Sequence, residues 1–149
     1  LGLWERPENV RDWDVDRADV MGRIDKVLDE YEVSVFAYDD TFGRTWSLDL
    51  EALARKGLTV LEWPTRSLAR MGPASGQFHG AVKDGRLTHS DDADLNRHIA
   101  NTVGKDTKYG MVPVKEYNDS PRRIDLCIAA IIAHDVALRK NKRVRWTAV

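Results

Sequence analysis

Val33 to Tyr38, Val-Ser-Val-Phe-Ala-Tyr, is a near-continuous apolar run rich in β-branched and aromatic residues, and it stops abruptly at Asp39-Asp40. Such a run marks a strand buried on both faces, which arises where helices cover a parallel or mixed sheet. A second run, Leu58 to Trp63, closes at Pro64 and predicts a neighbouring strand. Around them the apolar spacing turns helical. Val20, Ile24, Val27, Leu28 and Tyr31 follow Asp16, which is placed to cap a helix with Asp19 three residues later. Ser47 to about Lys56 predicts another, with Leu50, Leu53 and Ala54 inward and Gly57 just past its end.

Further on, Leu68, Met71, Phe78 and Val82 keep helical register between Thr65 and Val82, and Gly72-Pro73 predicts a kink or a restart. Asp91 or Asp92 caps a helix with Leu95, His98, Ile99 and Thr102 on one face, and Lys105 to Glu116 reads as a loose hairpin or excursion. Ser120-Pro121 predicts the start of the last helix, with proline at its first position. This order of elements predicts an α/β domain, a mixed sheet flanked by helices, with no linker or repeat, so 1–149 is expected to be one domain.

A chain of 149 residues can bury about two thirds of the surface its unfolded form exposes. With 42% hydrophobic and 32% charged residues it falls outside the collagen-like, low-complexity and largely disordered classes. Its apolar runs are too short to span a membrane. The net charge of −1 supplies no global basic field for coating nucleic acid. The single Cys127 excludes an internal disulfide framework and fits a reducing compartment. Leu1-Gly2-Leu3-Trp4 reads as a strand with no lead-in, so the chain is expected to be a piece of something longer.

Ligands of open α/β sheets gather at the carboxyl ends of strands, which singles out Asp39, with Asp40 as a second carboxylate and Thr41-Phe42-Gly43 as a tight loop. An Asp after a strand is also an ordinary turn former. Asp125 is the other candidate. It heads an alanine-rich apolar helix on the face of Ala129 and Ile132, so it is expected to be partly buried and to need a cation or donors, which a divalent metal would provide; the plainer reading is an acid favoured by the helix dipole. His79, His89, His98 and His134 have no zinc-site spacing, and His98 on an apolar face reads first as a satisfied core histidine. No Walker lysine motif, GxGxxG or GxSxG elbow is present. Arg139, Lys140, Lys142, Arg143 and Arg145 form one basic block, read first as a solvated helix end and second as a phosphate contact.

The ordered series Leu3-Trp4-Glu5-Arg6-Pro7, Trp13 with Val15-Asp16-Arg17, Tyr38-Asp39, Met71 with Ala74 and Phe78, Gly85 to His89, His98 to Asn101, and Lys115 followed by Arg123-Ile124-Asp125 resembles the C-terminal nuclease domain of tailed-bacteriophage terminase large subunits. The resemblance covers nearly the whole chain. It implies an RNase H-like fold, here without its first strand, in which carboxylates hold Mg²⁺ or Mn²⁺, two ions in the complete site, and cut concatemeric viral double-stranded DNA in the host bacterial cytoplasm. It further implies an upstream ATPase domain, with the small terminase subunit and the portal as partners. Asp39 matches the acid ending the central strand and Asp125 the acid of the C-terminal helix. The family's first acid has no match, so the chain alone is expected to cleave weakly or not at all. Asp40, Lys115 and His98 are possible auxiliaries, and Lys115, Arg122 and Arg123 are candidate DNA contacts. The rival expectations are another RNase H-like nuclease of resolvase or transposase type, and a non-catalytic docking domain of the packaging machinery.

Overall fold

The computed structural model describes residues 2–7, 9–41 and 45–143. Among them it is a mixed α/β structure of five helices and four strands, with β1 and β2 forming a parallel pair and β3 and β4 an antiparallel pair. The chain divides into two compact units, 1–36 with 44–61, and 37–43 with 62–149.

The first unit is built on α1 (Arg17–Glu30) and α2 (Ser47–Arg55). Asp16 caps α1 as its spacing predicts, accepting the backbone N–H of Ala18 at 2.9 Å and of Asp19 at 3.2 Å. Gly57, at φ +89°, lies just past the end of α2, where an L side chain would be strained. Leu53 is the buried anchor of this unit. Two ion pairs link the helices, Arg17 with Asp49 and Lys56 with Asp25 at 2.5 Å, and the Arg17 guanidinium lies over the Trp46 ring. Residues 2–7 are not in a strand, contrary to the reading of the opening residues. The Trp4 indole instead donates to the Asp19 carboxylate at 2.6 Å, which ties this segment to α1.

β1 (Val35–Asp39) and β2 (Thr59–Trp63) begin in the first unit and end in the second. They pair in one sheet, as the two apolar runs predict. The second unit adds α3 (Leu68–Lys83), α4 (Ala93–Ala100), β3 (Val103–Thr107), β4 (Gly110–Val114) and α5 (Asp125–Arg143). Its core gathers Trp63, Met71, Ala74, Val112, Cys127, Ile131 and Ile132, with α3 packed on β4 and α5, and α4 packed on α5. Lys105 to Glu116, read as loose, belongs to a tight hairpin in which Val103 faces Val114 and Thr107 faces Gly110.

One helix does not restart where Gly72-Pro73 allowed it to, and one helix boundary differs from the sequence reading. α3 runs unbroken through Gly72-Pro73. Proline removes one intrahelical hydrogen bond, but Met71, Gly72, Ala74 and Ser75 are all buried around it, and this packing outweighs the local penalty. Gly72 is needed for closeness rather than flexibility, since a Cβ there would lie 2.3 Å from the Tyr109 carbonyl oxygen at the hairpin tip. α5 starts at Asp125, four residues after Pro121. Ser120 is buried and forms a turn, its hydroxyl accepting the Arg122 backbone N–H at 3.3 Å, so Ser120-Pro121 shapes the approach to the helix instead of beginning it. Among the described residues no helix is long and apolar enough to cross a membrane.

Candidate functional site

Asp39 is the last residue of β1 and Asp40 the first beyond it. The Asp39 carboxylate accepts the Thr41 backbone N–H at 2.7 Å and the Thr65 hydroxyl at 2.9 Å, and the same hydroxyl lies 3.1 Å from the Asp40 carboxylate. Neighbouring strand residues point to opposite faces. Here the strand has ended, so both carboxylates reach one hydroxyl and Asp40 joins Asp39, against the alternation that strand geometry predicts. The turn is fixed from behind by Trp63, whose carbonyl accepts the backbone N–H of Asp40 at 3.3 Å and of Thr65 at 2.9 Å. Phe42 and Gly43, read as part of a tight loop, lie outside the described residues.

Burial works to raise the Asp39 carboxyl, but the Thr41 backbone donor, the hydroxyls of Thr41 and Thr65 and hydrogen bonding with Asp40 outweigh it and hold the group below its ordinary 3.8. All the resolved donors to the pair are neutral, and among the described residues no cation pairs with either carboxylate. Tyr38, one residue back, is pushed up by burial, then by the charge of Glu62 and a hydrogen bond to it, then by the charge of Asp40. Its phenol therefore stays a donor at neutral pH, directed at Glu62 at 3.4 Å.

Asp125 is exposed at the first turn of α5 rather than partly buried. What holds it in place is the junction behind it. His98 is fully buried, and its Nδ1 accepts the Leu126 backbone N–H at 3.0 Å, satisfying one of the donors that a helix N-terminus leaves open. The Asn101 amide donates to the Arg123 carbonyl at 3.0 Å, and Thr102 to the His98 carbonyl at 2.8 Å. Lys115 donates to the Ser120 carbonyl at 3.1 Å. His98, as its apolar face predicts, is a satisfied core histidine; together with Asn101 and Lys115 it builds the segment that presents Asp125. Arg122 pairs with Glu116 at 3.3 Å, and Arg123 is half-buried.

The buried acid of α5 is Asp135, ten residues beyond the expected one and 4% exposed. It accepts the Trp63 indole N–H at 3.0 Å, Arg70 Nη2 at 2.7 Å and Arg139 Nε at 3.1 and 3.2 Å. The rule that a buried carboxylate needs a cation holds, with arginine rather than metal as the answer. Arg139 lies one helical turn along and was visible as a partner from spacing alone.

No family model matches the chain, and no curated protein or solved structure matches it. The chemistry therefore rests on the residues. Among the described residues no group of three or more His, Cys, Asp or Glu gathers as a metal cluster. Asp39 and Asp40 form a pair of hard, anionic oxygen donors beside a hydroxyl, the ligand type that Mg²⁺ and Mn²⁺ prefer. Two carboxylates are a partial ligand set for such an ion, and a two-ion centre needs further acids. Asp135 is unsuited to that role because two guanidiniums already occupy its oxygens.

Proposed function

We propose that this chain is a metal-dependent, DNA-cleaving domain of RNase H-like type, of the kind found in terminase large subunits. The observation that carries the reading is the Asp39–Asp40 pair at the carboxyl end of a parallel strand, oriented among the described residues by neutral donors only. Two carboxylates held close without a cation repel each other, and a divalent ion relieves that repulsion. Bound Mg²⁺ or Mn²⁺ would supply water activation and stabilisation of the leaving 3′ oxygen in phosphodiester hydrolysis.

In this reading Asp39 is the principal metal anchor, and its carboxyl, held below its ordinary value, stays ionised across the working range. Asp40 adds charge, and Thr65 keeps both carboxylates turned toward the same point. Asp125, exposed at the head of α5, is the further acid that the resemblance brings to the centre. Double-stranded DNA is the proposed substrate. The ATPase domain, small subunit and portal remain the proposed partners in a longer protein, working in the host bacterial cytoplasm. Because the family's first acid has no match in the sequence, cleavage by this chain alone is expected to be slow or absent.

The test pairs a thermal shift with a plasmid assay. Mn²⁺ is expected to raise the melting temperature of the wild type by a few degrees, the linkage effect of a weak site. Asp39→Asn should abolish that shift and any Mn²⁺-dependent nicking of plasmid DNA, and Asp125→Asn should abolish the nicking. Equal Mn²⁺ stabilisation of the wild type and Asp39→Asn would overturn the reading.

A further inference from the structure

The Asp135 cluster holds more positive charge than its own neutrality requires. One carboxylate, 4% exposed, is met by two guanidiniums and an indole N–H. Arg70 with Trp63 would already satisfy it, so Arg139 leaves one positive charge in excess, in a chain whose net charge is −1. Arg139 is held by its inner part, whereas Arg70 spends a terminal nitrogen on Asp135 and keeps its Nε buried without a partner. Arg139 engages Asp135 through Nε, its side chain is 57% exposed, and among the described residues its terminal nitrogens have no partner. Arg70 engages through Nη2 with its guanidinium over the Trp63 ring at 5.4 Å. A guanidinium tethered as that of Arg139 is keeps its outer donors for an anion and loses little further freedom on binding one. The terminal nitrogens of arginine are the fork that fits a phosphate.

Two further observations point the same way. The sequence following Arg139 carries Lys140, Lys142 and Arg143 to the end of α5, and Arg145 after it. A helix C-terminus bears only about half a negative charge, so its dipole calls for far less cation than this. The surplus repels itself unless a polyanion meets it. Trp63 also connects the cluster to the carboxylate pair. Its indole donates to Asp135 and lies under Arg70, and its carbonyl holds the backbone of Asp40 and Thr65.

We propose that Arg139, oriented by Asp135, forms a docking point for a backbone phosphate of duplex DNA. The occupant is specified as phosphate because a tethered guanidinium at a helix end offers charge and a fork but no base-reading surface. The proposal rests on the DNA-cleaving reading for its choice of polyanion, and its test is run without metal so that the two fail separately.

The experiment measures binding of the whole chain to a fluorescent duplex of random sequence in EDTA, as a function of salt. Arg139→Gln is expected to weaken binding about fivefold at about 100 mM salt and to reduce the slope of log affinity against log salt by about 0.9, the loss of one phosphate contact. Asp135 keeps Arg70 and Trp63 in that variant, and a melting curve checks its fold. Arg139→Lys should keep the slope while losing part of the affinity, because the charge stays and the fork goes. Arg55→Gln, on α2, should match the wild type. Arg139→Gln binding with wild-type affinity and slope would overturn the docking site, as would a wild type that binds no duplex at about 50 mM salt. Duplex binding weakened by Arg139→Gln, with equal Mn²⁺ stabilisation of the wild type and Asp39→Asn, would uphold the docking site and overturn the cleavage reading.

Discussion

The second unit handles its carboxylates in two opposite ways. At the end of β1, Asp39 and Asp40 lie close together and receive a backbone amide and hydroxyls, all neutral. On α5, Asp135 is buried alone and receives two guanidiniums and an indole. Neutral donors orient an acid without cancelling its charge, so the pair keeps a negative field for a cation from solution. Arginines cancel the charge internally, so Asp135 serves packing and presents the opposite sign outward. Burial alone therefore does not mark a metal ligand; the identity of the donors does.

The largest effect that sharpens this contrast is on stability. Asp135→Ala leaves Arg70 beside Trp63 without its counter-charge and is expected to cost about 3 kcal/mol, the usual result of removing one member of a buried pair. Asp39→Asn keeps an acceptor for Thr41 and Thr65 and should change stability by less than about 0.5 kcal/mol. Urea unfolding of the two variants measures both. If Asp39→Asn proved the costlier, the strand-end pair would be structural and the contrast would collapse.

The same contrast shows what the sequence can and cannot reveal. The paired strands were legible because Val33 to Tyr38 and Leu58 to Trp63 are mostly apolar, and the α1 cap because Asp16 precedes the periodic residues. Asp39 was legible from its position at a strand end. Asp135 was not, because its decisive donors, Trp63 and Arg70, lie 72 and 65 residues away and only folding unites them. Asp40 was legible only as a second carboxylate beside Asp39, because nothing local shows that the Thr65 hydroxyl reaches both. The start of α5 was misjudged because Ser120-Pro121 is a good helix opening locally, while Lys115 and the Ser120 hydroxyl commit it to a turn. Long-range donors decided the role of Asp135, whereas the start of α5 was decided by contacts within five residues.

A smaller effect concerns how Asp125 is held. His98→Ala would remove a fully buried ring and leave the Leu126 N–H without its acceptor, at an expected cost of about 2 kcal/mol. Asn101→Ala, which removes one hydrogen bond to the Arg123 carbonyl, should cost about 1 kcal/mol. Hydrogen exchange adds a local reading, since the Leu126 amide should lose protection in His98→Ala well before the centre of α5 does. Unchanged protection at Leu126 would mean that α5 holds Asp125 without the imidazole.

The smallest effect is a pH dependence, and it tests the neutral-donor half of the contrast directly. Asp39 has a carboxyl below its ordinary 3.8 in the folded state because donors to the ionised form outweigh burial. A depressed folded value means that the charge stabilises the fold above the ordinary value, and that this contribution is lost as pH falls through the lower, folded one. The wild type should therefore lose stability on acidification below about pH 4 more steeply than Asp39→Asn, which has no proton to take up there. Because the site is partly exposed, the difference should be a fraction of a kcal/mol. Urea midpoints at several acidic pH values measure it. Wild-type and Asp39→Asn curves that run parallel would mean that Thr41 and Thr65 do not favour the charged form, and the strand-end pair would then lack the standing negative field that a divalent ion needs.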